Sequence, residues 1–328
     1  MRYRRLGNSG LLISAIGLGT NNFGSRMDAD DAREVLDACV DLGINFVDTA
    51  DIYSRGVSEE YIGSAIEGRR DQFVLATKVG MRFADEPNGA GLSASHIKDS
   101  VEGSLRRLRT DYIDLYQTHI VDPLTPIEET LRALDDLVRE GKVRYIGCSN
   151  YMAWEMTQAI HISRQYGWAQ FVTAQPEYSM LVRDVEHELL HACTVYDVGI
   201  LPYFPLAAGF LTGKYQRGQE LPEGARLTIG PERMRQSRLT DENFEILESL
   251  RRFAESRGRT MVDLAFAWLL ARPEVRSVIA GASNPDQLAQ NAAACEWDLS
   301  DEDMAEIEEI LPNTPGKGVG NLTARRGL

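Results

Sequence analysis

Short apolar runs and amphipathic stretches alternate eight times along this chain of 328 residues, and few folds accommodate that order. The runs at 16–19, 44–48, 73–77, 112–117, 143–147, 171–175, 200–203 and 277–280 are apolar at most positions. Strands of that kind need cover on both faces, as in a parallel sheet sheathed by helices. Between them, apolar residues recur at helical spacing. In 28–42, Ala32, Val35, Leu36, Cys39 and Val40 share one side, Asp28 or Asp30 can cap the start, and Gly43 ends the stretch. Similar stretches cover 59–67, 95–108, 125–139, 154–166, 184–196, 241–257, 260–271 and 285–294. At 125–139, Thr125, Pro126 and Glu128 predict a capping box. No linker-like change of composition divides the chain. The pattern therefore predicts a single α/β domain over 1–328, a closed (β/α)8 TIM barrel. A doubly wound sheet is the alternative, but the glycine-rich nucleotide fingerprint that usually opens it is missing. Residues 2–14 alternate loosely about Asn8-Ser9-Gly10 and predict a β-hairpin ahead of the barrel. An extra helix at 301–310 follows the last repeat, and the glycine-rich, basic tail 312–328 is expected to be mobile at its tip.

The formal net charge of -14 offers no basic field to attract nucleic acid or an anionic membrane, so neither is expected as a partner. Cys39, Cys148, Cys193 and Cys295 show no metal-ligand spacing and suit a reducing compartment. No apolar leader opens the sequence and no apolar run is long enough to span a bilayer, which points to a cytoplasmic protein. The composition assigns no oligomeric state.

Four chemically distinct side chains fall at or just beyond successive strand ends: Asp48, Tyr53, Lys78 and His119. In a parallel barrel those ends share one rim, where barrel chemistry is found. Singly, each has a plain structural role: a cap, a packed phenol, an ion-paired amine, a core imidazole. Together they suit carbonyl reduction. Hydride reaches the carbonyl carbon while charge grows on oxygen, and something must protonate that oxygen. A phenol of pKa about 10 holds its proton tightly, and an adjacent ammonium loosens it. Lys78 can do this for Tyr53, Asp48 can hold Lys78, and an imidazole at His119 can stabilise the developing oxyanion. A metal hydrolase lacks support, since His119 has no ligand-spaced neighbours. His187 and His191 are four apart but lie in a polar helix and read as surface residues.

These residues resemble the tetrad of the aldo-keto reductases. Gly141 to Asn150, Leu211-Thr212-Gly213-Lys214-Tyr215 and Gly281-Ala282-Ser283-Asn284 match further motifs of that family, and the resemblance runs from Tyr3 to about Trp297. It implies an NADP-dependent oxidoreductase with Tyr53 as general acid, and a hairpin that plugs the bottom of the barrel. It also implies that Ser149, Asn150 and Gln175 hold the nicotinamide carboxamide and that Tyr203 stacks on the ring. Phe204 stands where many relatives carry serine, which removes one hydrogen bond. Pro205, Leu206, Ala207, Ala208, Leu211, Thr212 and Lys214 resemble the loop that crosses the pyrophosphate, and Arg226 is a candidate for the adenosine 2'-phosphate. Gly281, Ser283, Gln287 and Asn291 match the adenosine end, with Ser283 placed to cap the following helix. The Gly-Ala-Ser-Asn form resembles the potassium-channel β-subunit branch, which binds NADP, so NADPH is favoured over NADH.

The loops 20–27, 81–94, 120–124 and 205–240 are expected to select a small-molecule carbonyl substrate, with Phe23, Met81, Phe83, Ile120 and Phe204 as an apolar wall. Arg82 reads as solvent-facing, and Arg325 and Arg326 are placed either near the mouth or in a free tail. The resemblance also admits a redox-sensing partner protein that carries NADP, and a deoxysugar-pathway reductase acting on a nucleotide-linked sugar.

Overall fold

A computed structural model describes residues 1–311. The chain opens with β1 (Tyr3–Arg5) and β2 (Leu12–Ser14), an antiparallel hairpin. Eight strands follow: β3 (Ile16–Gly19), β4 (Phe46–Asp48), β5 (Val74–Val79), β6 (Ile113–Thr118), β7 (Val143–Ser149), β8 (Phe171–Gln175), β9 (Gly199–Ile200) and β10 (Val278–Gly281). All their pairings are parallel, in the order β10-β3-β4-β5-β6-β7-β8-β9. The last gap is bridged just outside the strand ends. Ile200 N–H donates to Glu274 C=O at 2.8 Å, Arg276 N–H to Ile200 C=O at 2.9 Å, and Ile279 N–H to Pro202 C=O at 3.0 Å. The sheet thus curls round on itself as a TIM barrel.

The helices are α1 (Ala29–Leu42), α2 (Val57–Ala65), α3 (Ala94–Leu108), α4 (Ile127–Arg139), α5 (Ala153–Tyr166) and α6 (Leu189–Tyr196), one after each of β3 to β8. The long β9–β10 connection carries α7 (Arg226–Ile229), α8 (Glu232–Arg238), α9 (Asp241–Ser256) and α10 (Met261–Leu270). Helices α11 (Pro285–Ala293) and α12 (Asp301–Ile310) come last. The apolar strands divide two ways. One set of side chains, with Phe46, Leu115, Leu201 and Ile279, fills the barrel interior, where Leu6 and Ile13 of the hairpin join it. The other set meets the helices in the larger core. The hairpin sits close enough to matter atom by atom: a Cβ on Gly7, at φ +54°, would stand 1.9 Å from Val172 O.

Several local expectations change. Thr125 does not cap α4; its hydroxyl donates to Asp122 Oδ2 at 2.6 Å, and Pro126 takes the cap position. The ionised Asp122 side chain, which also accepts from Leu92 and Leu124 N–H, is a stronger acceptor than the helix start is a donor. The helix expected over 184–196 begins only at Leu189 after a short turn at Asp184–Glu186. There the Glu186 carboxylate is taken up by Arg183 and the Tyr178 hydroxyl. The 205–240 connection, expected as irregular, holds two short helices and a turn at Ala207–Thr212. It is pinned where Arg238, 1% exposed, donates to Glu177 at 2.6 Å. The cap of α11 is Asn284, whose side chain accepts from Gln287 N–H, so Ser283 does not cap it. His187 and His191 are exposed, and the four cysteines are buried and free. Among the described residues no helix is long and apolar enough to cross a membrane, and no acidic, histidine or cysteine group could hold a metal. The tail 312–328, with Arg325 and Arg326, lies outside the described residues.

Candidate active site

Strand β4 ends on Asp48, and β5 carries Lys78 in register with Gln117 of β6. Lys78 is 0% exposed, and its Nζ donates to Asp48 Oδ2 at 2.7 Å and to Thr49 C=O at 2.6 Å. The same ammonium lies 5.1 Å from the centre of the Tyr53 ring. Tyr53 is set there by a tight turn, Tyr53–Gly56, in which Ser54 and Arg55 take left-handed conformations. The His119 ring meets Tyr53 edge-on, 6.0 Å between centres. The fourth member arrives on the backbone, through His119 N–H to Val79 C=O at 2.7 Å. The structure therefore brings Asp48, Tyr53, Lys78 and His119 together.

Charges here oppose burial. Burial pushes the Tyr53 phenol upward, Lys78 pulls it down, Asp48 pushes it up again, and the net direction is up. Lys78 lowers the phenol pKa, as the sequence led one to expect, but burial outweighs that pull. Burial also works against the Lys78 ammonium, but Asp48 and Tyr53 outweigh it, and that pKa is raised. Tyr53 is held as an acid beside a permanently charged amine.

Amide side chains back this cluster. Asp48 Oδ1 accepts from Gln175 Nε2 at 2.8 Å and Gln117 Nε2 at 3.4 Å. Ser149 Oγ donates to Gln175 C=O at 2.8 Å. Asn150, at φ 60°, donates from Nδ2 to His119 C=O and Ser149 Oγ, and its Oδ1 accepts from the Tyr203 hydroxyl at 2.8 Å. Asparagine tolerates that left-handed backbone. One network thus ties Tyr203 to His119.

The cluster opens into a cavity of about 780 Å³. Asp48, Tyr53, His119, Ser149, Asn150 and Gln175 line one end, and Gly281, Ser283 and Gln287 line it elsewhere. Tyr203, Phe204, Pro205, Leu206, Lys214 and Arg226 form more of the wall. Ala207, Leu211 and Asn291 stand behind that wall, the first two in the apolar core and Asn291 buried with Nδ2 directed to Gly281 C=O. Of the substrate-side aromatics, Phe204 reaches the cavity, with Met81 and Ile120 beside it. Phe23 is buried in the core and Phe83 lies against Arg107. Arg82 is exposed, as expected.

Positive charge is concentrated on one part of this wall. Burial lowers the Lys214 pKa, helped by repulsion from Arg226 and Arg26; burial and Arg26 do the same to Arg226. Arg226 Nη2 donates to Asn21 and Asn22 Oδ1, and its guanidinium lies 5.1 Å from the Phe204 ring centre. Gly209, at φ +87°, lets the Lys214 amine lie over the backbone, since a Cβ there would be 3.1 Å from Nζ. Cations crowded against one another fit an anion such as a phosphate. The sequence reading missed Gln117 behind Asp48, and it placed Thr20, Asn21, Asn22 and Arg26 only within the substrate loop 20–27 rather than on the wall beside Arg226. The Asn21-Asn22 doublet after a glycine-rich strand was the one available signal; Arg26 gave none.

The family model described as "Aldo/keto reductase family" matches residues 15–312. A putative voltage-gated potassium channel subunit beta of Schizosaccharomyces pombe is 39% identical over 325 residues, 95% of this chain and 94% of that one. A probable voltage-gated potassium channel subunit beta of Arabidopsis thaliana is 35% identical over 323 residues, 96% and 98% of the two chains. Aldo-keto reductase YhdN of Bacillus subtilis is 35% identical over 327 residues, 98% and 96%. Since the match runs from the first barrel strand to the last helix, with such identity along nearly the whole length, this chain belongs to the aldo/keto reductase family of oxidoreductases.

Proposed function

We propose that the protein reduces an aldehyde or ketone, sugar-like compounds included, to the alcohol with NADPH, and that Tyr53 is the general acid. The observation that carries this is the buried Lys78–Asp48 pair set beneath the Tyr53 ring at the cavity. Family membership implies NADP(H), and the cavity wall fits it. Ser149, Asn150 and Gln175 offer amide and hydroxyl partners for a carboxamide, and Tyr203 offers a ring to stack on. Lys214, Arg226 and Arg26 suit the phosphates, and Ser283 and Gln287 suit the adenosine end. Bound there, NADPH supplies the hydride.

The rest belongs to the chain itself. The substrate oxygen is taken to lie between Tyr53 and His119, where the imidazole orients it. Tyr53 transfers its phenolic proton to that oxygen as negative charge develops. Lys78 stabilises the resulting phenolate, and Asp48, held by Gln175 and Gln117, keeps Lys78 in place. Solvent then returns the proton to Tyr53. Met81, Ile120 and Phe204 favour a substrate with an apolar portion. The test is loss of NADPH absorbance when chelator-treated protein is mixed with an activated aldehyde. Turnover that depends wholly on added zinc would sink the proposal.

The Schizosaccharomyces and Arabidopsis relatives are described as potassium channel β subunits, and that supports a second reading in which this chain is a partner protein, one that carries NADP and responds to its redox state. Rapid release and reuse of cofactor during a carbonyl screen supports the enzyme; a single stoichiometric oxidation followed by retention supports the sensor.

A further inference from the structure

Beneath the rim lies a second ionisable cluster that the proposed chemistry does not use. Asp51 stands three residues after Asp48 and two before Tyr53, and its N–H donates to Lys78 C=O at 3.3 Å. Its side chain does not line the cavity. The residue is 1% exposed and neither carboxyl oxygen completes a hydrogen bond. Its surroundings come from four elements: Glu59 of α2, Arg107 of α3, Lys78 of β5 and Tyr116 of β6. Glu59 is fully engaged, accepting from Thr77 Oγ1 at 2.6 Å and from Arg107 Nε at 2.7 Å. The Tyr116 hydroxyl, also buried, completes no hydrogen bond. Thus Glu59 has a cation and a donor at hydrogen-bond distance, while Asp51 has only the weaker pulls of the Ile52 backbone, Arg107 and Lys78.

We propose that Asp51 is a positioning residue for the rim: a buried carboxyl that ionises behind Lys78 and so sets how readily Tyr53 releases its proton. The inference rests on the reductase reading given above. An unpartnered buried carboxyl favours its neutral form. Burial first, and then the charge of Glu59, push Asp51 up to about 7, against weaker pulls from the Ile52 backbone, Arg107 and Lys78. The group therefore changes charge in the neutral range. It loses its proton to solvent and makes no bond to substrate. Once ionised, it adds to Asp48 a second negative charge acting on Lys78, to which Asp51 is already tied through its N–H and electrostatically. That charge raises the cost of the phenolate, so proton donation slows as pH rises through neutrality.

Infrared difference spectroscopy of ligand-free protein, wild type minus Asp51→Asn, reads the ionisation directly. A protonated carboxyl band is expected near about pH 5 and lost by about pH 9. Carboxyl-13C aspartate labelling reads the same band in wild type without any substitution. Single-turnover oxidation of bound NADPH by excess neutral aldehyde reads the coupling. The neutral-range fall in rate should vanish in Asp51→Asn, and its alkaline limb should move roughly one pH unit lower. NADPH affinity should not change. Asp51→Leu, of similar volume and no charge, should behave the same way. Absence of the band in wild type, or superimposable pH profiles in the variants, overturns the proposal. If no carbonyl compound oxidises bound NADPH, the reductase reading fails on its own. Ultraviolet titration of Tyr53, taken as the difference from Tyr53→Phe, then decides the coupling: ionisation at lower pH in Asp51→Asn supports it, and no change overturns it.

Discussion

At the scale of single residues, the site works by setting one proton against several charges. Tyr53→Phe keeps the ring that packs against His119 and beside Lys78 but removes the hydroxyl. Single-turnover hydride transfer to an ordinary aldehyde is expected to fall about 10²–10⁴-fold, with NADPH affinity retained. Equal rates in the two proteins would remove Tyr53 from the mechanism. Lys78→Met leaves Asp48 buried without its cation, and denaturant unfolding should show a loss of roughly 3–5 kcal/mol. Asp51 has the opposite linkage from a salt-bridged acid. Its carboxyl is raised from 3.8 to about 7, so between those values the folded state binds the proton that the unfolded state has released. Its contribution to stability therefore falls as pH rises from about 4 to about 7 and is level above, a change of up to ~4 kcal/mol. Urea unfolding across that window should show Asp51→Asn gaining on wild type as pH rises; a constant difference would contradict this. Of these residues, Asp48, Tyr53, Lys78 and His119 could be picked out in the sequence because Asp48 and Lys78 fall at strand ends and Tyr53 and His119 follow shortly after them. Asp51 was not, because the lack of a partner is a property of packing.

At the scale of elements, what the sequence could convey depended on whether a local signal met a tertiary competitor. The Asp28 cap of α1 formed, its side chain accepting from Asp30 and Asp31 N–H while Asp31 reaches back to Asp28 N–H. The Thr125 cap failed because Asp122, ordered by the neighbouring β5–α3 loop, claims the hydroxyl. The 205–240 part of the β9–β10 connection was recognisable from its length as a candidate lid or binding loop. Its anchor was not, because Arg238 and Glu177 are 61 residues apart. That buried pair is expected to set the position of the segment bearing Lys214 and Arg226. Arg238→Met should weaken NADPH binding and speed its release, measured by protein fluorescence, while leaving the Asp48–Lys78 pair intact. Lys214→Ala tests the wall itself: if Lys214 meets a phosphate, about 1.5–3 kcal/mol of affinity is lost. A larger loss for NADPH than for NADH assigns the contact to the 2'-phosphate. An equal loss assigns it to the pyrophosphate, and no loss removes Lys214 from the site.

At the scale of the whole molecule, the barrel separates the work of its two ends, as such barrels do. The eightfold alternation was legible because most strand positions are covered by the hairpin, the helices or the barrel interior, so each strand reads as a mostly apolar run. Closure was harder to read: β9 is only two residues long, and the seam is made by backbone bonds at Glu274, Arg276 and Ile279. The hairpin at the bottom contributes Leu6 and Ile13, both 0% exposed, to the same interior cluster as Phe46 and Leu115. Arg4 secures it from the side, donating to Leu270 C=O at 2.7 Å and Val275 C=O at 2.6 Å. Leu6, Ile13 and Arg4 do not line the cavity at the other end, where Ile279 is the member of that interior cluster that reaches the wall. Leu6→Ala should therefore cost roughly 2–5 kcal/mol of unfolding free energy, the usual range for a buried leucine whose site cannot collapse. The single-turnover rate at a temperature where the variant is folded should stay within about twofold of wild type, because Leu6 does not itself line the cavity and meets it only through intervening side chains such as Ile279. A marked fall in that rate, with the variant still folded by circular dichroism, would mean that the packing of the barrel interior carries strain from the hairpin to the rim, and that the two ends are coupled through Phe46 and the strand that delivers Asp48.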